Sequence, residues 1–269
     1  MTTLQNNIFI LWLQGWKNAS WLNHQVAESW KINNPKWKIH YIDLENLKDY
    51  VSDIDYIYNI HKDISPQAKS DIIRLSLLKN HGGVWADATM LCMRPLDGWV
   101  HEAVNPAGFW MYHGHGAGLS KEYGPAIWFI ISEKGSYIIN KWKEECDDYW
   151  SKPHHPLCYF WLDEWFKSVL MMDDKFNCLW LKVPYVYCEI DGESHTLAHY
   201  GMENDTPHIK RLFLESPPYA LKFWQRWDHI FPDITTEECK RSNGYYAIQM
   251  SKRGEQRLNA ESGQYAGNP

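Results

Sequence analysis

Between Ser70 and Cys92 the chain reads SDIIRLSLLKNHGGVWADATMLC, and this stretch constrains the fold more than any other. Ser65-Pro66 just before it is a good helix start, because a proline in the first turn has its φ preset and gives up no needed N–H. Apolar residues follow at Ile72, Ile73, Leu75, Leu77 and Leu78, too many for a surface helix with one narrow stripe. Gly82 closes the helix at the position where a left-handed backbone is wanted. The chain then passes with no linker into a strand-like VWA, and Asp87 and Thr89 follow. A helix that reverses at Gly-Gly into a buried strand is a unit of a layered α/β protein, and the acid falls at the end of the strand.

The flanking pattern agrees. Ile8–Leu13 is a short apolar run that reads as a buried first strand, ending at Gln14-Gly15. Ser20 to Asn33 has helical spacing and is stopped by Asn34-Pro35. Trp37–Ile42 alternates like a strand, and Asp43 is placed to cap a short helix, LENLKDYV. Further along, Phe109–Tyr112 and Ile127–Ser132 read as strands, Gly135–Tyr149 and Tyr159–Met172 as helices, and Leu179–Cys188 as a strand bent at Pro184. Alternating strands and helices at the start predict a largely parallel sheet. No repeat or linker divides the chain, so a single domain is expected over residues 1–251, with a polar tail at 252–269.

Composition excludes several classes. The net charge of −6 offers no basic face to nucleic acid. A phosphate-bearing ligand would need a local arginine, a helix N-terminus or a metal ion. The six cysteines include no CxxC pair in a chain large enough to fold without staples, so reduced thiols are expected. No basic segment precedes Ile8–Leu13, and no apolar run approaches the ~20 residues of a membrane helix. The expectation is a soluble, cytoplasmic protein, with peripheral contact to a membrane left open. The 16 Trp and 16 Tyr serve packing first and stacking on a base or sugar second.

Asp71 and Arg74 lie three apart and share a helix face. They read either as an ordinary ion pair or, with Asp87 at the carboxyl end of the next strand, as a charged site in the crevice where open α/β sheets take up ligands. In the second reading Asp87 can hold a hard divalent ion through oxygen, Thr89 adds a hydroxyl, and Arg74 forks onto a phosphate or orders the acids. His113–Gly116 (HGHG) reads as a loop, since no cysteine completes a zinc set. Asp163 and Glu164, on the helix over Tyr159–Met172, read from the residues as a solvated helix face. In FWQRWDHIF, core packing is favoured over a sugar platform.

IFILWLQGWKNA, ESWKINNPKWKIHYIDLENL and SDIIRLSLLKNHGGVWADATMLC together resemble the capsular polysaccharide synthesis protein family, related to glycosyltransferase family thirty-two. The resemblance is good from residue 8 to about 100, weaker through Phe129–Glu145 and Tyr159–Phe166, and fades after about 175. It implies a GT-A type α/β fold, with residues 1–100 binding a nucleotide-sugar and 101–251 facing the acceptor. It implies transfer of a sugar from a nucleotide-sugar, UDP-linked in the first instance and GDP-linked as the alternative, to a saccharide acceptor of a surface or capsule-like glycan. Retention at the anomeric carbon is implied, by same-face attack or through a covalent intermediate. Asp71, Arg74 and Asp87 match the catalytic positions, and Trp12, Gln14, Gly15 and Gly83 join them around the nucleotide-sugar; Asp163 and Glu164 stand where related enzymes place acceptor-side acids, a reading equal in weight to the solvated face. A Mn2+ or Mg2+ ion is implied at Asp87, with Thr89 where the second acid of a DxD motif usually stands and His195 as a further ligand. Two rivals follow from the same residues: a nucleotide-sugar hydrolase or nucleotidyltransferase, and a saccharide-binding protein without catalysis.

Overall fold

The computed structural model describes residues 3–59, 64–113, 125–152, 159–186, 189–190, 193–194, 203–223 and 227–253. In chain order the elements are β1 (Asn7–Leu11), α1 (Trp21–Asn33), β2 (Lys38–Ile42), α2 (Pro66–His81), β3 (Gly83–Ala86), β4 (Met90–Cys92), α3 (Val100–Val104), β5 (Phe109–His113) and β6 (Pro125–Ser132). They continue with α4 (Tyr137–Ser151), α5 (Trp161–Met172), α6 (Asp174–Trp180), β7 (Glu189–Ile190), β8 (Glu193–Ser194), α7 (Pro207–Glu215), β9 (Ala220–Lys222), α8 (Trp227–Ile230), α9 (Glu237–Arg241) and α10 (Asn243–Ser251). Two compact units result. The first takes Met1–Asn18, Lys38–Asp87 and Val100–Cys188, and the second takes Ala19–Trp37, Ala88–Trp99 and Glu189–Pro269.

The first unit is built on a five-stranded sheet of order β2-β1-β3-β6-β5. β1 runs parallel to β2 and β3, while β6 is antiparallel to β3 and β5. The α/β class expected from the sequence is the one observed, a mixed sheet whose first three strands are parallel, flanked by helices. Ile8 to Leu11 and all of β3 are buried, as central strands covered on both faces should be. α2 begins where Ser65 accepts the Ala68 N–H and ends at Gly82, whose φ is +65°. Gly83 has a φ of +113°, and a Cβ there would stand 2.5 Å from the Asn7 carbonyl oxygen, so glycine is what lets β3 lie against β1.

α2 is tied to α4 by a buried polar link. The fully buried Lys143 ammonium sits 2.6 Å from Asp147 and 3.5 Å from Asp53, and Asp53 accepts the Ser76 hydroxyl.

In the second unit α1 opens with Ser20 and Asn23 in a reciprocal cap, and β4 pairs antiparallel with β9. Phe223, Trp227 and Phe231 are buried whereas Ile230 is 43% exposed, in keeping with packing as their role.

Three local expectations are corrected. Asp43 caps no helix; its carboxylate accepts the Glu45 and Asn46 N–H groups in a turn, followed by one 3-10 turn at Leu47–Asp49. The strand expected at Leu179–Cys188 is absent up to residue 186. Asp173 instead caps α6, and Phe176, Trp180 and Val183 are buried at a helical rather than a two-residue period. His113 belongs to β5, not to a loop, and its ring lies 4.3 Å from Trp180 and 4.5 Å from Tyr185. Residues 114–116 and 254–269 lie outside the described residues. No helix among the described residues is long and apolar enough to cross a membrane.

Candidate functional site

The parallel strands of the first unit all deliver their carboxyl ends to one edge of the sheet. Phe9 pairs with Trp85, so continuing that register brings Leu11 level with Asp87 and leaves Trp12 one step beyond. The Trp12 N–H donates to the Ile42 carbonyl at 2.9 Å, and the Asp87 N–H donates to the Trp128 carbonyl at 3.0 Å. Both residues are thereby pinned at the edge where ligands of open α/β sheets bind. The tight reversal at Gly82-Gly83 lays α2 antiparallel to β3, so the part of α2 that carries Asp71 and Arg74 lies toward the same edge.

Arg74 organises what lies there. Its Nη2 is 2.9 Å from Asp71 Oδ1 and 3.7 Å from Asp87 Oδ1, and its Nη1 donates to the Ile127 carbonyl at 2.6 Å. Nη2 also reaches Ser70 Oγ at 3.3 Å, and Nε the Ser70 carbonyl at 3.4 Å. The guanidinium stands 5.1 Å from the Trp85 ring centre, and the Trp85 indole N–H donates to Asp87 Oδ1 at 2.9 Å. Arg74 is 5% exposed and Asp71 5%, while the Asp87 side chain keeps 23% of its surface open. One cation thus holds two acids in fixed positions, and only Asp87 of the three presents much surface outward.

A third acid joins them from α5. Asp163 is 4% exposed, and its Oδ1 is buried with no hydrogen-bond partner among the described residues. Burial, reinforced by the Asp71 charge and opposed by Arg74, pushes its carboxyl up to about 8. Burial also raises Asp71, to about 6, against the pull of Arg74 and with help from Asp87. Glu164, by contrast, is partly exposed and pairs with Lys167 at 2.9 Å. The two acids left undivided by sequence therefore take different parts.

The other expected site residues are distributed unevenly. Gln14 is exposed and Gly15 has a φ of +86°, both in the turn leaving β1 at the same edge. Gly83 is not part of this edge. It opens β3, four residues before Asp87 and about 13 Å away along a strand, and its role is packing on Asn7. Thr89 belongs to the second unit, where its hydroxyl accepts from the Lys222 ammonium at 2.7 Å and its carbonyl from the Phe223 N–H at 2.8 Å. That contact makes Thr89 a poor cation ligand, since an ammonium already holds its oxygen. His195 lies outside the described residues. Asp87 fits a divalent ion that arrives with its phosphates, for which one or two carboxylates suffice. No cluster of three His, Cys, Asp or Glu occurs among the described residues.

Trp85, the Ile127 carbonyl and Lys222 were missed from sequence. Trp85 precedes Asp87 by two residues and had that weak signal. Lys222 had none, because the β4–β9 pairing that brings it to Thr89 spans 133 residues.

An α/β protein with an arginine-ordered group of acids at the carboxyl edge of its sheet is the class that fold and site define. The chain belongs to the capsular polysaccharide synthesis protein family, which matches residues 1–210. It is 30% identical over 155 residues to the glycosyltransferase afumC of Aspergillus fumigatus (strain CBS 144.89 / FGSC A1163 / CEA10), covering 51% of this chain and 39% of that protein. It is 24% identical over 168 residues to the O-glycosyltransferase braB of Annulohypoxylon truncatum, covering 55% and 38%. The chain thus spans about two fifths of the length of these curated relatives. Among solved structures it is similar to the PaToxG glycosyltransferase, at 15% identity and a TM-score of 0.44 over 93% of this chain and 87% of that one.

Proposed function

We propose that this protein is a GT-A type glycosyltransferase that moves a sugar from a UDP-linked donor to a saccharide acceptor of a surface or capsule-like glycan, with retention. The observation that carries the reading is the Asp71–Arg74–Asp87 cluster at the carboxyl edge of the sheet, in a chain whose curated relatives are named as glycosyltransferases.

In this reading the cluster is a preorganised electrostatic device. Arg74 is occupied by Ser70, Asp71 and Ile127, so its part is to hold the acids rather than to swing onto the donor. Asp71 is fixed by that contact beside the reacting sugar. Asp87, the most open of the three, faces the diphosphate side and would hold Mn2+ or Mg2+ there. When bound, such an ion offsets the charge that develops on the departing nucleoside diphosphate. Trp12, Gln14 and Gly15, at the end of β1, line the nucleotide side. The acceptor hydroxyl attacks from the face that the diphosphate leaves, which accounts for retention.

The test is a thermal-shift panel of UDP-, GDP-, CMP- and dTDP-sugars with Mn2+, Mg2+ or EDTA, on wild type and Asp87→Asn. A ligand at 100 times its dissociation constant adds about 2.7 kcal/mol. The expected result is a metal-dependent shift with UDP-sugars, lost in Asp87→Asn, together with turnover that falls by orders of magnitude in that variant. Full activity in Asp87→Asn refutes the assignment, and glycan binding without any nucleotide-sugar shift points to the non-catalytic rival.

A further inference from the structure

Three carboxyl groups share one guanidinium at this edge, and the charges do not balance. Arg74 serves Asp71 at 2.9 Å and Asp87 at 3.7 Å. Asp163 feels the Arg74 charge, but its Oδ1 is buried and unpartnered among the described residues, in the first turn of α5. The lysine of its own helix is taken, since Lys167 pairs with Glu164 at 2.9 Å. The charged groups bearing on Asp163 are Asp71 and Arg74 from α2 and Lys167 and Glu164 from α5, and Asp163 in turn bears on Tyr159. A buried carboxylate oxygen with no donor is expensive, and the inexpensive alternative is for the group to keep its proton. A neutral carboxyl both donates one hydrogen bond and accepts others. A polar group buried beside a ligand-binding edge, with an oxygen left unsatisfied, is the complement of a ligand hydroxyl.

We propose that Asp163 is a substrate-contacting residue of this site, a carboxyl that keeps its proton and hydrogen-bonds a hydroxyl of the sugar on the donor. This rests on the glycosyltransferase reading given above. It also assigns Asp163 a part distinct from that of its two neighbours: Asp71 and Asp87 act as carboxylates held by Arg74, and Asp163 acts as a neutral acid. A donor whose sugar lacks the matching hydroxyl would leave Asp163 unsatisfied and be rejected for that reason.

The experiment compares Asp163→Asn, which keeps a donor and an acceptor, with Asp163→Ala, which keeps neither. The first readout is thermal shift with UDP against UDP-glucose, UDP-galactose and UDP-N-acetylglucosamine, at pH 6.5 and pH 9. The expected result is that wild type and Asp163→Asn gain an extra shift from the sugar, that Asp163→Ala keeps only the UDP shift, and that its kcat/KM falls about tenfold or more. Raising the pH to 9 should erase the extra shift in wild type and spare it in Asp163→Asn.

The second readout needs no ligand. A carboxyl whose folded-state affinity for the proton is raised loses stability as pH climbs, so Asp163→Asn should melt above wild type at pH 9, by less at pH 5, and converge with it only near pH 4. An extra sugar shift intact in Asp163→Ala, equal losses in Asn and Ala, or no stability gain at pH 9 would each overturn the proposal. Should wild type respond to no UDP ligand at all while Asp163→Asn is stabilised at pH 9, the UDP-donor reading falls and the contact with a UDP-linked sugar falls with it. A responsive wild type with indifferent variants overturns this inference alone.

Discussion

Replacing Arg74 with Met keeps the stem of the side chain and deletes the charge that two acids share. Asp71 is 5% exposed and loses its 2.9 Å partner, and the Ile127 carbonyl loses a 2.6 Å donor. Removing one member of a buried ion pair costs about 3–5 kcal/mol, because the other is left charged and unpaired. The orphaned carbonyl adds about 1 kcal/mol or more. That is a large part of the roughly 5–15 kcal/mol a domain has in total. Burial already outweighs Arg74 and holds the Asp71 carboxyl up to about 6, so without Arg74 it rises further. A raised folded-state value means that the penalty is full above that pH and fades as the group takes up its proton. The loss measured by urea unfolding should therefore be greater at pH 8 than at pH 5. Adding Asp71→Asn to Arg74→Met should recover much of it at pH 8, a coupling that a double-mutant cycle reads directly. Equal losses at both pH values, or no recovery in the double variant, would refute the electrostatic account and leave lost packing as the cause.

Two other perturbations test the scaffold. Gly83→Ala combines a φ of +113° with a Cβ 2.5 Å from the Asn7 carbonyl, and should cost about 3 kcal/mol, read as a lowered urea midpoint. A midpoint unchanged from wild type would mean that β1 and β3 can part without penalty. His113 is buried between Trp180 and Tyr185, and burial pulls it down to about 4 from 6.5. The unfolded chain therefore binds the extra proton between those values, and stability falls as pH drops through that window. His113→Phe should flatten this acid limb, seen as a smaller fall in Tm between pH 7 and pH 4.5, whereas an unchanged limb would place the acid sensitivity elsewhere, as at His40.

Much of the fold up to Asp87 was legible because the signals were local. Ser20 and Ser65 cap helices with hydrogen bonds to residues three positions on, and Gly82 ends α2, all within one turn of chain. The candidate cluster was legible for the same reason, since Asp71, Arg74 and Asp87 lie within 17 residues and only one helix reversal is needed to bring them together. Where local pattern failed, two periods competed over few residues. Phe176, Trp180 and Val183 pack at helical spacing in a segment whose apolar letters also alternate.

What no reading of the chain could decide was the state of each polar group. Asp163 and Glu164 are neighbouring acids, yet one has an oxygen buried without a partner among the described residues and the other is matched to Lys167. Gly82 and Gly83 are identical letters, yet one caps a helix and the other admits a strand. Thr89 looked like a ligand in waiting until β9 brought Lys222 onto it from the far end of the chain. Sequence by itself determined the α/β class and which acids gather at the strand end, because helix period, capping and strand burial act over a few residues. Tertiary structure alone decided which of those acids is paired, buried or open, because desolvation and ion pairing depend on segments that meet only when the chain is folded.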